Sequence, residues 1–326
     1  VVLGVADGGY LTLGGPLSGG VAMSVVKQGL GTLGLRDSAG FGGGTTIAAG
    51  TLVAQHASAL GGGGVLVNDG ASLLIDSVTL TTGGLTLNGR GVQEGGALQG
   101  AGTAAHAGAV RLDTASAIGA ATASDTLTVK NQVSGTGPLT KVGDGGVELF
   151  GGNDYTGGTT IKAGTLRLLA GATLPTLPTL SPLNLTGTGT LDLNGNDQSI
   201  SNLTGTANTA ITLGSGDLTV TQGTAGTFAG RISGSGELIK QGTAALTLSG
   251  ASTGYTVYTA TYTPPATGSG PADMPPWPRA VHQASTTAKA PWSTCERGQR
   301  YTGSSVMGSS YWSLVVGASQ PHRARR

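Results

Sequence analysis

The chain has 326 residues, of which 61 are glycine; charged residues amount to 10%, and the formal net charge is +1. Ordinary domains contain about 7% glycine and about 25% charged residues, so this composition argues against a compact domain with a large side-chain core. The near-neutral charge argues against a nucleic-acid partner.

Helix is disfavoured over the first 250 residues, because glycine and threonine are poor helix formers. The single window of helical length is 101–123.

The opening VVLGVADGGY has no methionine and no basic segment, and Asp7 interrupts its apolar run. We therefore expect no signal peptide and interpret the chain as an internal fragment. We also expect no transmembrane helix, since 18 consecutive apolar residues do not occur. The lone Cys295 leaves no internal disulfide.

A repeated segment organises the chain. Residues 27–52 and 141–166 align without a gap at an offset of 114, and 13 of the 26 positions are identical. At this composition we expect roughly 3 identities by chance. A third copy starts at Lys240 as KQGTAALTLSGAST, and the SGSGELIK that leads into it matches the SGTGPLTK that leads into Lys141. Such self-similarity is typical of stacked repeat architectures.

The segments LTLNG (85–89) and LDLNG (191–195) alternate apolar and polar residues and end in Asn-Gly. This pattern predicts short strands closed by turns. We therefore expect residues 20–250 to form consecutive parallel coils of about 20–25 residues each. The side chains expected to point inward are those of Leu33, Leu35, Leu85, Leu87, Val147, Leu149, Leu191, Leu193, Leu246 and Leu248.

The pattern KxGxGxLxLxGxNxYxGGTTIxAGTLxL, which residues 141–168 match nearly throughout, resembles the passenger-associated transport repeat of bacterial autotransporters. The resemblance covers about residues 20–256. The first copy departs from the pattern at Ala39 and Phe41, where the family has Asn and Tyr. The residues that carry the motif, to which we assign a structural role, are Lys141, Gly143, Gly145, Leu149, Asn153, Tyr155, Gly157, Gly158, Thr159, Thr160, Ile161, Gly164, Thr165 and Leu166.

The resemblance implies an all-β fold, a right-handed single-stranded parallel β-helix over residues 1–256, with clear copies at 27–54, 141–168 and 240–256. It implies a structural or adhesive passenger stalk without catalytic activity, whose repeats assist secretion and folding. The expected location is the cell surface or outer membrane of a Gram-negative bacterium, or the secreted fraction. The expected partners are the protein's own C-terminal outer-membrane β-barrel and a host or neighbouring-cell surface.

Residues 257–326 differ in composition, because all three tryptophans, the cysteine and 8 of the 13 prolines lie after residue 251. We expect an irregular or disordered C-terminal tail there. A Pro-rich recognition segment and a disordered linker are alternatives. We favour a shift of reading frame inside the third copy, because the repeat stops in the middle of its motif.

Two motifs suggest enzymatic sites, and we reject both. Residues 29–34 match GxGxxG, but no helix can follow them, as a dinucleotide site requires. Residues 250–254 match GxSxG, with Asp273 and His282 in hydrolase order. A nucleophile elbow needs a strand, a strained turn and a helix, whereas Ser252 falls at the repeat position of Asn153.

We expect no catalytic, cofactor or metal site. Residues 195–197 match part of a calcium nonapeptide without tandem copies, and the four histidines are far apart. The main alternative function is a β-helix lyase or glycoside hydrolase acting on a polysaccharide. An ice-binding face built from Thr-x-Thr pairs, such as Thr126 with Thr128, is a further alternative, which the irregular spacing disfavours.

Overall fold

The structure is a computed structural model that describes residues 1–176 and 180–259, and the backbone of two later strands at 302–306 and 309–313. Within these residues the chain is built from strands, and a single 3-10 turn at Val92–Glu94 is its helical element. Among the described residues, no helix is long and apolar enough to cross a membrane.

Thirty-four short strands follow one another along the chain. The first seventeen are β1 (Val2–Gly4), β2 (Tyr10–Leu13), β3 (Leu17–Ser18), β4 (Val25–Gln28), β5 (Thr32–Leu35), β6 (Ala39–Gly40), β7 (Thr45–Ile47), β8 (Gly50–Ala54), β9 (Val65–Val67), β10 (Ala71–Asp76), β11 (Thr79–Leu80), β12 (Leu85–Leu87), β13 (Leu98–Ala101), β14 (Thr103–His106), β15 (Val110–Leu112), β16 (Ser116–Ala120) and β17 (Thr126–Val129). The others are β18 (Val133–Gly135), β19 (Leu139–Val142), β20 (Gly146–Leu149), β21 (Thr159–Ile161), β22 (Thr165–Leu168), β23 (Pro182–Leu185), β24 (Thr190–Asp192), β25 (Gln198–Gly205), β26 (Ala210–Thr212), β27 (Leu218–Thr221), β28 (Gly226–Phe228), β29 (Arg231–Ser233), β30 (Glu237–Gln241), β31 (Leu246–Leu248), β32 (Thr256–Thr259), β33 (Thr302–Val306) and β34 (Ser309–Ser313).

The strands assemble into three long parallel sheets. Sheet 1 runs β1-β4-β7-β9-β12-β15-β18, and sheet 3 runs β11-β14-β17-β20-β22-β24-β26-β29. Sheet 2 runs β2-β5-β8-β10-β13-β16-β19-β21-β23-β25-β27-β30-β32, with β28 attached at β25 and β31 attached at β28. From β1 to β27, successive strands of the chain fall in different sheets, so the chain winds as a coil. The predicted all-β parallel β-solenoid is therefore confirmed, while its handedness stays a prediction.

Coil length follows from the strand pairing. One of the longest coils joins Thr79 of β11 to its partner Ala105 of β14, and one of the shortest joins Glu237 of β30 to Thr256 of β32. These two pairings, 26 and 19 residues apart, extend the predicted coil length of about 20–25 residues by one residue at each limit. Outside the solenoid, β33 pairs antiparallel with β34.

The core is a stack of inward ladders in which each coil places an aliphatic side chain against its equivalent one coil away. Leu52, Leu73, Leu98 and Ile118 form one such ladder in sheet 2, and all four are fully buried. Nine of the ten side chains predicted to point inward are buried, and Leu248 is partly buried against the same core. Stacking of small apolar residues replaces the large side-chain core that this composition lacks.

The window 101–123 is not helical. It contributes parts of β13, β14, β15 and β16 to three sheets, and four of its alanines occupy buried positions of the coil, Ala104, Ala105, Ala117 and Ala120. The predicted tail, residues 257–326, lies outside the described residues apart from the end of β32 and the strands β33 and β34.

The repeat is not fixed to one face of the solenoid. In the first copy, Lys27 lies in β4 of sheet 1, whereas Lys141 of the second copy lies in β19 of sheet 2. Lys240 of the third copy lies in β30, again in sheet 2. The motif therefore determines the local geometry of a coil and its corner, whichever sheet that coil enters.

Candidate functional site

The lysine of the repeat points into the core. Lys141 takes a position in an inward ladder of sheet 2, between Ile118 of the previous coil and Ile161 of the next. Its side chain is fully buried. A buried ammonium group needs its three N–H donors satisfied, because an unpaired charge in the core is very unfavourable.

Three backbone carbonyls meet this need. The Nζ atom of Lys141 donates to the carbonyl oxygens of Val142 at 3.0 Å, Gly143 at 2.6 Å and Ala163 at 2.9 Å. Val142 ends β19, Gly143 begins the turn that follows, and Ala163 belongs to the next coil. The lysine thus joins two consecutive corners of the solenoid through one side chain.

The other copies build the same corner. Lys27 Nζ donates to Gly29 at 2.6 Å and to Ala49 at 2.8 Å, and Lys240 Nζ donates to Gly242 at 2.7 Å. Both lysines are buried. The position equivalent to Ala49 in the third copy falls at residue 262, outside the described residues.

Two glycines of the motif are required by this corner. Gly143 and Gly164 have φ values of 76° and 60°, in the left-handed region that disfavours residues with a side chain. A Cβ atom on Gly143 would collide with the carbonyl oxygen of Ala120, and one on Gly164 would lie 2.6 Å from the carbonyl oxygen of Gly143. Gly143 of the KxG element and Gly164 of the AG element therefore pack closely against each other where two consecutive coils meet.

Burial lowers the pKa of Lys141 to about 8, and the nearby Asp144 carboxylate opposes this shift. Burial also lowers the pKa of Lys27 and of Lys240. The hydrogen bonds favour the charged form of each lysine and so limit the effect of desolvation.

Asn153 closes the opposite corner of its coil and is buried. Its Oδ1 accepts the backbone N–H of Val133 at 2.9 Å, and its Nδ2 donates to the carbonyl of Thr173 at 2.8 Å. The amide therefore bridges the previous coil and the next one. In the third copy, Ser252 takes part of this role, since its Oγ accepts the N–H of Ile232 at 3.1 Å.

Tyr155 fills the interior beside this corner. It is fully buried, and its hydroxyl lies 2.8 Å from Thr159 Oγ1. Burial raises the pKa of Tyr155, so the phenol stays neutral. In the first copy, Phe41 is equally buried, and Thr45 donates instead to the carbonyl of Leu60 at 3.0 Å. The Phe substitution is tolerated because the threonine hydroxyl finds another acceptor.

The remaining motif residues serve the strands and turns around these groups. Leu149, Ile161 and Leu166 are buried in the ladders, and Thr160 and Thr165 point outward and are partly exposed. Gly145, Gly157 and Gly158 lie in the connecting turns.

The motifs that suggest catalysis are structural in the described residues. Gly29 turns the chain and the rest of its GxGxxG motif enters β5, so a helix does not follow. Ser252 accepts a backbone N–H at the coil corner, and its proposed partners Asp273 and His282 lie outside the described residues. Thr126 and Thr128 were considered as part of an ice-binding face. In the next coil they pair with Gly146 and Glu148, so the threonine face does not continue there.

The acidic residues near the calcium-like segment also serve the backbone. Asp197 Oδ1 accepts the N–H of Asp217 at 2.9 Å, and Asp217 Oδ1 accepts the N–H of Glu237 at 2.8 Å. Groups of three or more potential metal-ligating side chains do not occur among the described residues. His282 and His322 fall outside them.

His106 was not assigned a role from the sequence. It is fully buried at the end of β14, and neither ring nitrogen has a hydrogen-bond partner among the described residues. Burial lowers its pKa to about 4, although the backbone at Ala109 and Leu80 acts in the opposite direction.

A loop at residues 89–96, also not foreseen, adds a wall to the outer surface of the solenoid. It contains the 3-10 turn and lengthens the coil that runs from Leu73 to its partner Leu98. Together with the ends of β9, β12 and β15 it lines an open concavity of about 640 Å³. The lining residues include Asn68, Asp69, Asn88, Arg90, Glu94 and Thr114. Polar side chains thus gather in one concave region of sheet 1.

Fold and corner together define a parallel β-solenoid whose repeats each bury a lysine at a coil corner; in the first two copies this lysine also contacts the corner of the next coil. The sequence family described as Passenger-associated-transport-repeat matches residues 25–54, 139–168 and 238–262. The chain therefore carries three copies of this repeat, and its resemblance to autotransporter passengers is confirmed.

Among curated proteins, the chain is similar to a protein named Adhesin BmaC autotransporter from Brucella suis biovar 1 (strain 1330). The two are 36% identical over 143 residues, which is 43% of this chain and 4% of that protein. The chain thus spans a small part of the length of this relative. No solved structure matches the chain.

Proposed function

We propose that this chain is part of a surface-exposed, adhesive passenger stalk of a Gram-negative bacterium and that it has no catalytic activity. The observation that carries the proposal is the long parallel stack of coils with a repeat-specific corner. Thirteen strands follow one another along the main path of sheet 2. At about 4.8 Å per coil they extend a rod roughly 60 Å long, which is an efficient way to hold a surface away from a membrane.

Support for adhesion comes from the similarity to a protein named as an adhesin. The second support is a feature of the chain itself. The outward faces of the three sheets are long, and they carry exposed and partly exposed residues at regular spacing from coil to coil. Solenoids of this kind present extended binding surfaces. The expected partners are a host or neighbouring-cell surface and the passenger's own C-terminal outer-membrane β-barrel.

A role of the repeats in export is part of the proposal. Each coil pairs with the coil that precedes it in the sequence, so newly emerged chain can add to the end of a formed stack. The lysine corner fixes each repeat against its neighbour without a disulfide, which suits a chain that crosses the periplasm unfolded. Location at the cell surface or in the secreted fraction follows from the same proposal.

Adhesion is tested with beads coated with the purified full chain and incubated with cultured epithelial cells or with bacterial cells. The matched control is beads coated with the Leu149→Asp chain, in which we expect the coil stack to be lost. We expect several-fold more wild-type beads bound. Equal binding of the two kinds of bead contradicts the adhesive role.

The same preparation separates a stalk from a polysaccharide lyase or hydrolase. The chain is incubated with a panel of neutral and uronic-acid polysaccharides, and new reducing ends and the ultraviolet absorbance of unsaturated uronic acid are followed. We expect neither signal to rise above a protein-free control. A rise in either one that is lost in the Leu149→Asp chain contradicts a non-catalytic role.

A further inference from the structure

We infer that the concave surface formed by the 89–96 loop and the ends of β9, β12 and β15 binds a neutral oligosaccharide. The inference rests on the proposed adhesive function and names a ligand class for it. The region is called the loop site below and is defined by Asn68, Asp69, Asn88, Arg90, Glu94 and Thr114. The concavity is open to solvent and has a volume of about 640 Å³, a size comparable with that of ligand sites, about 300–1,000 Å³.

Asp69 presents a free carboxylate to this site. It is exposed and makes no hydrogen bond or ion pair with another described residue. It lies over Gly89, which has a φ of 74° and at which a Cβ atom would collide with the Asp69 carboxylate. The absence of a side chain at Gly89 is therefore what lets the carboxylate take this place.

Amide groups lie beside the carboxylate on neighbouring rungs. Asn88 uses its Nδ2 to donate to the carbonyl of Val67 at 3.2 Å, which leaves its Oδ1 as an acceptor. Asn68, one coil earlier, makes no side-chain hydrogen bond within the described residues and offers both a donor and an acceptor. Thr114 accepts the N–H of Gly89 at 3.0 Å and keeps its hydroxyl hydrogen for a ligand.

The loop that forms the wall is strained and firmly held. Gln93 and Glu94 have φ values of 51° and 58°, which are unfavourable for residues with side chains and persist only where the surroundings impose them. The buried Ser72 accepts the N–H of Val92 at 2.8 Å and donates to the carbonyl of Gly96 at 2.8 Å. Ser72 thus fixes the middle and the C-terminal end of the loop to the preceding coil.

The chemistry of the loop site favours an uncharged, hydroxyl-rich ligand. An anion would meet the carboxylates of Asp69 and Glu94, and a cation would meet Arg90. An extended apolar ligand would leave the carboxylate and the amides without partners. Sugar hydroxyls donate and accept at once, so they can match a carboxylate, two amides and a guanidinium placed side by side.

Hydrolysis at this site is disfavoured by the state of Glu94. Its two oxygens lie 3.4 Å from Arg90 Nη1 and 3.4 Å from Lys162 Nζ. The Lys162 hydrogen bond and charge, with the charge of Arg90, lower the pKa of Glu94. A glycosidase needs one carboxyl group whose pKa is raised so that it can protonate the leaving group. Glu94 is therefore unsuited to act as that proton donor.

The test uses the full chain on an array of immobilised neutral, sialylated and sulfated oligosaccharides, followed by titration with the best neutral oligosaccharide. We expect binding to neutral members, at least tenfold weaker binding in Asp69→Ala and in Asn68→Ala, and little change when NaCl is raised. The matched control is Asp154→Ala, which removes another exposed carboxylate on a different coil. Thermal melting of each variant verifies that the fold is kept.

The proposal is overturned if no neutral oligosaccharide binds, if only sialylated or sulfated members bind, or if Asp69→Ala and Asp154→Ala bind as wild type does. Shortening of the bound oligosaccharide would also overturn it, in favour of an enzyme. The bead assay is read separately. If beads adhere but no sugar binds, the adhesive function stands and this site is wrong. If sugar binds but beads do not adhere, this site stands and the adhesive function is wrong.

Discussion

The ammonium nitrogen of Lys141 lies 2.9 Å from the carbonyl oxygen of Ala163, although the two residues are 22 positions apart in the sequence. This contact links the lysine at the start of the repeat to the Ala-Gly turn near its end. It explains why both elements recur together at residues 27–50 and 141–164, with Lys27 and Ala49 in the same relationship at 2.8 Å.

Replacement of Lys141 by methionine keeps the length of the side chain and removes its charge. Three backbone carbonyls then lose their donor, while the cost of burying an ammonium group also disappears. We expect a net loss of about 1–3 kcal/mol of unfolding free energy, measured by urea denaturation. The control Lys130→Met, at an exposed lysine, should change stability by less than about 0.5 kcal/mol. Equal or higher stability of Lys141→Met would show that the lysine does not hold the corner together.

Asn153 provides a second test, because the chain itself contains a natural variant. Asn153→Ala removes the acceptor of the Val133 N–H and the donor to Thr173, and we expect a loss of about 1–3 kcal/mol. Asn153→Ser should recover part of that loss, since Ser252 accepts the N–H of Ile232 in the third copy. Hydrogen exchange at the Val133 amide should be fastest in Asn153→Ala and intermediate in Asn153→Ser. The same exchange rate in all three proteins would contradict the assigned contact.

The inward assignment of Leu149 is tested by Leu149→Asp. The variant places a carboxylate in a fully buried ladder position, and we expect a loss of several kcal/mol or an unfolded chain. Leu66→Asp is the matched control, because Leu66 is 38% exposed on the outer face of sheet 1. A melting temperature for Leu149→Asp that equals that of the control would show that the assignment is wrong.

His106 should make the solenoid sensitive to mild acid. Its pKa is lowered to about 4 in the folded chain from its ordinary value of 6.5, so the unfolded chain binds the proton more readily. Stability is therefore complete above pH 6.5 and is lost as the pH falls towards 4. We expect a loss of about 2 kcal/mol between about pH 7.5 and pH 5, measured by urea denaturation at each pH. In His106→Leu this part of the pH dependence should vanish, and an unchanged dependence would contradict it.

The ladders and the turns could be predicted from the sequence, because period-two alternation and the repeat determine them. The same holds for Asn194 and Gly195, which both adopt positive φ at the end of an LDLNG segment. The inward lysine could not be predicted, since a lysine on a strand is usually exposed. Its carbonyl partners are brought together only when coils stack.

The loop site could not be predicted either. Its side chains come from three coils, at residues 68–69, 88–94 and 114, and nothing in the repeat marks the longer coil that forms its wall. The sequence also did not predict that the second copy begins in sheet 2, whereas the first copy begins in sheet 1. Successive pairings carry Lys27 to Gly135 in five coils, so these coils span 108 residues, whereas the two copies lie 114 residues apart. The second copy therefore starts six residues further along its coil than the first copy does, which places it in sheet 2.

The stack of parallel coils in this register is the central claim, and pairwise cysteine cross-linking tests it most directly. In a Cys295→Ser background, Thr86→Cys with Arg111→Cys places two outward cysteines on paired positions of β12 and β15. Their separation of about 4.8 Å lies within the range that a disulfide spans, about 4.4–6.8 Å between Cα atoms. Thr86→Cys with Ser134→Cys, two coils apart, is the control. We predict rapid intramolecular disulfide formation under mild oxidation in the first pair and none in the second; equal cross-linking of both pairs, or of neither, would contradict the parallel stack.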